Sequence, residues 1–247
     1  MYSCPPHRDA PSSASIDRKL APMFRQPSNN RRATQTCIKR NHKALPIPLA
    51  QMASNLRTHT YSAHLDSNTD PSYEAAWYER YHYTLNTLSK ETPHTKQQII
   101  CAFAALSPLT HIDRNEQLLH DLLETGDCAH QSGDAINKAK RCLNSPDPYT
   151  ILRGHKVKSF ASNLLRPFTP GAVTIDRHAY SILLARPTSD QERKILSRVG
   201  TYQLLAGVFR SVAREFDLLP HELQALTWVY YRKQLNDQDP TTDIGEF

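Results

Sequence analysis

The sequence predicts an all-α fold, and three observations carry that expectation. From Pro71 onward, apolar residues recur at three- and four-residue intervals. Acidic or hydroxyl residues suited to capping stand at the heads of several of these runs. No stretch of alternating apolar and polar residues is long enough for a sheet strand.

The elements follow in order. Residues 73–88 place Trp77, Tyr78, Tyr81, Leu85 and Leu88 on one helical stripe. Residues 95–106 end in the uniformly apolar run Ile99 to Leu106, as a buried central helix should, and Ser107-Pro108 stops it. Helices over 113–124 and 134–143 each open on an acidic residue suited to a cap. Residues 146–152 form a short turn, and an amphipathic helix over 157–165 leads into the Pro/Gly turn at 166–171. Helices over 177–185, 201–216 and 220–235 complete the chain. Eight to ten helices in one domain are expected.

Composition divides the chain. Only 39% of the 247 residues are hydrophobic, so a compact core requires part of the chain to stay out of it. Residues 1–60 carry 10 Lys+Arg against 2 Asp+Glu, a net of +8, whereas residues 61–247 carry 20 against 22, a net of −2. Residues 1–65, rich in Ser, Pro, Asn, Arg and His and without periodicity, read as a disordered basic tail ahead of a helical domain at 66–247. Such a tail suits an arm that scans DNA phosphates, a transit peptide, or an over-extended reading frame whose true start is Met23 or Met52. The five cysteines are odd in number and lack paired spacing, so neither a disulfide framework nor a metal site is expected. No apolar run approaches the ~20 residues that span a bilayer. A cytoplasmic monomer without a cofactor is the expectation.

The chemistry concentrates in Gly154-His155-Lys156-Val157 and, twenty positions after Lys156, Asp176-Arg177-His178. One helix opens on an amine and the next on a carboxylate. A carboxylate beside an anomeric carbon stabilises an oxocarbenium-like sugar. A lysine amine of lowered pKa can attack that sugar and form a Schiff base. Taken singly, Asp176 is an ordinary helix cap and Lys156 an ordinary solvated lysine. Gly154, the spacing and the apolar lead-in Val173–Ile175 turn the pair towards chemistry.

This layout resembles the helix-hairpin-helix DNA glycosylases, in which the hairpin is followed by a helix, a turn ending in apolar residues, and Asp-x-His. The stretch from Phe103 to Thr110 with Asp113-Arg114-Asn115 resembles the family's turn near the flipped base, with Pro108 where Gln is usual. Leu152 replaces the first hairpin glycine, and Gly154 keeps the second. Together with Thr174-Ile175-Asp176-Arg177-His178-Ala179, Gly200-Thr201-Tyr202 and Gln224-Ala225-Leu226-Thr227-Trp228, these departures resemble a divergent phage-type branch, the putrescinyl-thymine pyrophosphorylase-like proteins. The resemblance implies a helix-hairpin-helix glycosylase-like domain that acts on DNA in a nucleoid-associated setting. Asp176 would be the essential carboxylate and Lys156 the nucleophile of a glycosylase/lyase. Arg153, Gly154, His155, Lys158 and His178 would face the DNA, and Ser107, Asn115, Tyr202 and Trp228 the substrate. No cysteine follows Cys142, so the iron–sulfur loop of some family members is not expected. Thymine hypermodification on the same fold, and a non-catalytic DNA-binding module, are the alternatives.

Overall fold

The structure, a computed structural model, describes residues 41–129, 131–169, 171–198 and 200–238. The described residues form α-helices and two short 3-10 helices, with no strand among them. The helices are α1 (Leu49–Leu65), α2 (Pro71–Ala75), α3 (Trp77–Lys90), α4 (Lys96–Leu106), α5 (Ile112–Thr125) and α6 (Gly133–Leu143). After the 3-10 turn Pro148–Thr150 come α7 (His155–Leu165), α8 (Arg177–Leu184) and α9 (Asp190–Arg193). A second 3-10 turn, Lys194–Ser197, leads to α10 (Thr201–Ala213) and α11 (Pro220–Gln238). The all-α expectation holds.

Two hydrophobic cores organise these helices. The first is built on α4, whose residues from Ile99 to Leu106 are all buried. Its start is fixed by a capping box, in which Thr95 and Gln98 exchange side-chain and backbone hydrogen bonds. Helices α3, α5, α6 and α7 pack on it. Trp77, Tyr81, Phe103 and Phe160 run through this core as a chain of rings 4.2 to 6.0 Å apart. The second core joins α1, α8 and α10 around Met52, Leu56, Val173, Ile175, Leu183, Leu205 and Phe209. Helix α11 serves both, placing Leu223 in the second core and Ala225 and Trp228 in the first. The junction of the two cores therefore runs along α11.

The structure corrects the reading of the chain's beginning. Residues 49–65 are helix α1, not tail: Met52, Leu56, Thr60 and Ala63 are fully buried against α8, α10 and α11. These four positions recur at three- and four-residue spacings among mixed apolar and polar neighbours, and so narrow a buried stripe leaves the local composition tail-like. Leu45 and Ile47 also pack on the second core. Residues 1–40, where the rest of the expected tail falls, lie outside the described residues. Two further differences are local. The helix expected over 73–88 breaks at Ala76, because Asp70 caps a separate turn with Pro71 in its first position. Helices α5 and α6 are capped by His111 and Ser132, with Asp113 and Asp134 inside their first turns, where a carboxylate meets the positive helix end.

Candidate active site at the junction of the two cores

The hairpin ahead of α7 turns on Gly154, whose φ of +75° is open to glycine and strained for any L residue. Leu152 is buried in the first core, and Arg153, Gly154 and His155 stand exposed beyond it. Leu152 thus anchors the hairpin at the position where the resemblance leads one to look for a glycine. The Arg153 guanidinium donates to the Thr150 carbonyl at 3.2 Å, and the Tyr149 phenol donates to the Lys158 carbonyl at 3.1 Å. These bonds close the turn on itself and leave its charged heads near the surface.

After α7 the chain runs extended through Val173, Thr174 and Ile175, all buried. An extended buried segment needs partners for its polar groups, and side chains from distant helices supply them. The Tyr202 phenol of α10 donates to the Val173 carbonyl at 2.7 Å and accepts from the Ile175 amide at 2.9 Å. Burial pushes that phenol up to about 12, with hydrogen bonds from Ser159 and Ile175 acting the other way, so it stays a donor at neutral pH. Tyr78 lies 2.9 Å from the Thr174 hydroxyl and donates to Gln224 at 2.7 Å, while the Asn163 amide donates to Thr174 at 3.3 Å.

This segment delivers Asp176, which is 3% exposed. Its Oδ1 accepts from the Ala179 amide at 2.7 Å, capping α8, and its Oδ2 accepts from the Trp228 indole at 3.1 Å. The carboxylate is thus held by the head of one helix and the flank of another. His178 lies beside it, buried between Trp228 and Tyr231 at ring distances of 6.3 and 5.8 Å. Its Nε2 accepts from Arg177 Nε at 3.3 Å, the arrangement of a neutral imidazole. Burial is the main force lowering the His178 pKa; Asp176 opposes it, and the charges of Arg177, Arg232 and Lys156 add to it. One carboxylate and three cations therefore act on the His178 imidazole. The Arg232 guanidinium also lies 4.8 Å over the Trp228 ring.

The structure thus gathers Asp176, His178 and Trp228 into one neighbourhood, with the Lys156 charge acting on His178, and brings Tyr202 to the segment that feeds it. Ser107 and Asn115 do not join them. Their side chains are buried and donate to the carbonyls of Ala104 and Phe103, at 2.9 and 3.1 Å. Asn115 thereby ties α5 to α4, and Ser107 closes the end of α4. Sequence reasoning missed Arg177, Arg232, Tyr78, Asn163 and the network role of Gln224. Arg232 could have been found, four positions from Trp228 and on its face of the helix. Tyr78 could not, lying 96 positions from its partner Thr174.

Two other features border this region. A cavity of about 100 Å³ separates the hairpin from the α4–α5 corner, lined by Pro108, Ser132, Asp134, Lys138, Leu152 and Arg153 among others. A groove of about 480 Å³ between α3 and α5, lined by Tyr83, Thr87, Leu88, Glu91, Glu116 and His120 among others, shares no residue with the Asp176 cluster. Among the described residues, no group of three or more His, Cys, Asp or Glu could hold a metal ion. No described helix is long and apolar enough to cross a membrane.

Fold and site together define an all-helical protein with two cores and a buried carboxylate at their junction. The chain belongs to the family of unknown function DUF7178, which it matches over residues 27–235. That match begins well before residue 66 and takes in α1. Comparison with curated proteins and with solved structures found no match.

Proposed function

We propose that this protein is a DNA base-processing enzyme that cleaves an N-glycosidic bond, with Asp176 as the carboxylate at the reacting sugar. The observation that supports this reading is Asp176 itself: a buried carboxylate fixed through both oxygens, beside a His178 imidazole on which the charges of Lys156, Arg177 and Arg232 act. A fixed charge in a site that excludes water stabilises a developing cation far better than a solvated one. Its two donors hold it in place, so no reorganisation is required as positive charge grows on the sugar. In the lyase form of the reaction, the Lys156 amine attacks C1′ as the base departs with its bonding electrons and a proton. The adduct then opens to a Schiff base. Arg153 and Lys158 supply positive charge and His155 a ring N–H for a phosphate backbone, and Trp228 and Tyr202 supply aromatic surface near the carboxylate.

A second reading is favoured by the same hydrogen bonds. With both Asp176 oxygens already engaged, the residue suffices as a structural cap, and the chain would then be a DNA-binding module on this scaffold. Asp176→Asn separates the two. If Asp176 is catalytic, release of base from modified DNA falls at least about a hundredfold while DNA affinity is kept. Unchanged turnover in the variant contradicts the enzymatic role. The phage-type alternative, base modification without excision, is met by scoring intact but altered nucleosides in the same digest.

A further inference from the structure

Two side chains, His155 and Tyr202, link the exposed hairpin to the segment that carries the buried carboxylate. The His155 ring, first residue of α7, stacks on the Tyr202 ring at 5.1 Å with 29° between planes. The Tyr202 phenol grips the chain on both sides of Thr174, donating to Val173 and accepting from the Ile175 amide, one residue before Asp176. Tyr202 is thus held by α7 at its ring, and it holds the segment that aims Asp176. His155 is exposed and Tyr202 buried, so the pair reaches from the surface to the interior.

We infer that Tyr202 is a positioning residue which couples DNA contact at the hairpin to the setting of Asp176. A phosphate drawn against Gly154–His155 orders the His155 ring. The ordered ring fixes Tyr202, and Tyr202 in turn fixes Val173–Ile175 and the carboxylate beyond. Seated DNA thereby damps the residual motion of a carboxylate that its two donors already place. Sub-ångström shifts suffice, because a hydrogen-bonded segment packed on both sides has few alternative arrangements. This inference rests on the DNA-processing reading above, for the occupant of the hairpin is taken from it.

The test is amide hydrogen exchange over residues 172–179 of the full chain, free and with saturating duplex DNA, with affinity measured alongside. The proteins are wild type, His155→Ala, His155→Phe and Tyr202→Phe. Because His155 is exposed, its variants report on coupling without disturbing the core. DNA should slow exchange in this segment about fivefold or more in wild type and in His155→Phe, which keeps the ring. The slowing should vanish in His155→Ala and in Tyr202→Phe, which lacks the hydroxyl. Slowing that survives both losses overturns the coupling, and so does DNA binding with no change in this segment of the wild type. A wild type that binds no DNA overturns the DNA-processing reading, and the coupling with it.

Discussion

At Asp176, one carboxylate oxygen accepts from the Ala179 amide and the other from the Trp228 indole. The second bond makes a prediction. Trp228→Phe removes the indole donor but keeps most of the ring. It should destabilise the fold by about 1–3 kcal/mol, as expected for a charged acceptor left short of one buried donor. Denaturant unfolding measures this, and a variant as stable as wild type would show that the bond contributes nothing. In the sequence, Asp176 was legible as a cap and as a candidate catalyst, since both readings need only local spacing. What it lacks locally is its second donor, 52 positions away. The partners of Ser107 and Asn115 were hidden for the same reason: a polar residue at a turn looks identical in sequence whether it faces solvent or, as here, a buried carbonyl.

At the scale of elements, the hairpin and α1 carry the testable claims. Gly154→Ala places a Cβ in open space but at φ +75°, so its cost is backbone strain alone. A loss of about 1–2 kcal/mol is expected, with a larger loss of DNA affinity if the turn geometry serves phosphate contact. Equal thermal midpoints for the two proteins would contradict the strain argument. For α1, Leu56→Ala empties a fully buried position in the second core and should cost about 2–5 kcal/mol. A negligible change would mean that α1 is not docked as described. The contrast between α1 and α4 explains what was legible. Eight consecutive buried residues announce α4, whereas α1 buries Met52, Leu56, Thr60 and Ala63 among residues that would suit a tail equally well. Helix periods survive in sequence when the buried face is wide, and fade when it narrows to one position per turn.

For the whole molecule, charge and titration set the behaviour in solution. His59, His82, His178 and His221 all have pKa values lowered from 6.5, chiefly by burial. Each stays neutral in the folded state at pH values where the unfolded chain has begun to bind a proton. Unfolding therefore takes up protons, and stability should fall as pH drops below about 6.5. Midpoints of chemical denaturation between pH 7.5 and 5.5 check the sign; greater stability at the acidic end would contradict it. The charge excess is local: residues 61–247 carry 20 basic against 22 acidic groups. If the protein acts on DNA as proposed, contact would run through Arg153 and Lys158, with or without the basic residues at the start of the chain. For these two cations, log affinity should fall against log salt with a slope of about −2. The division into two cores joined along α11 was not legible, because it depends on which helices meet across the chain, and periodicity reports only that each has a face to bury.

The central claim is that the junction of the two cores performs chemistry on a DNA sugar, and borohydride trapping on DNA carrying modified or damaged bases tests it most directly. The account predicts a covalent protein–DNA adduct in wild type, lost in Lys156→Ala and in Asp176→Asn. No adduct and no abasic site on any substrate, from a protein that binds the same DNA, would contradict it.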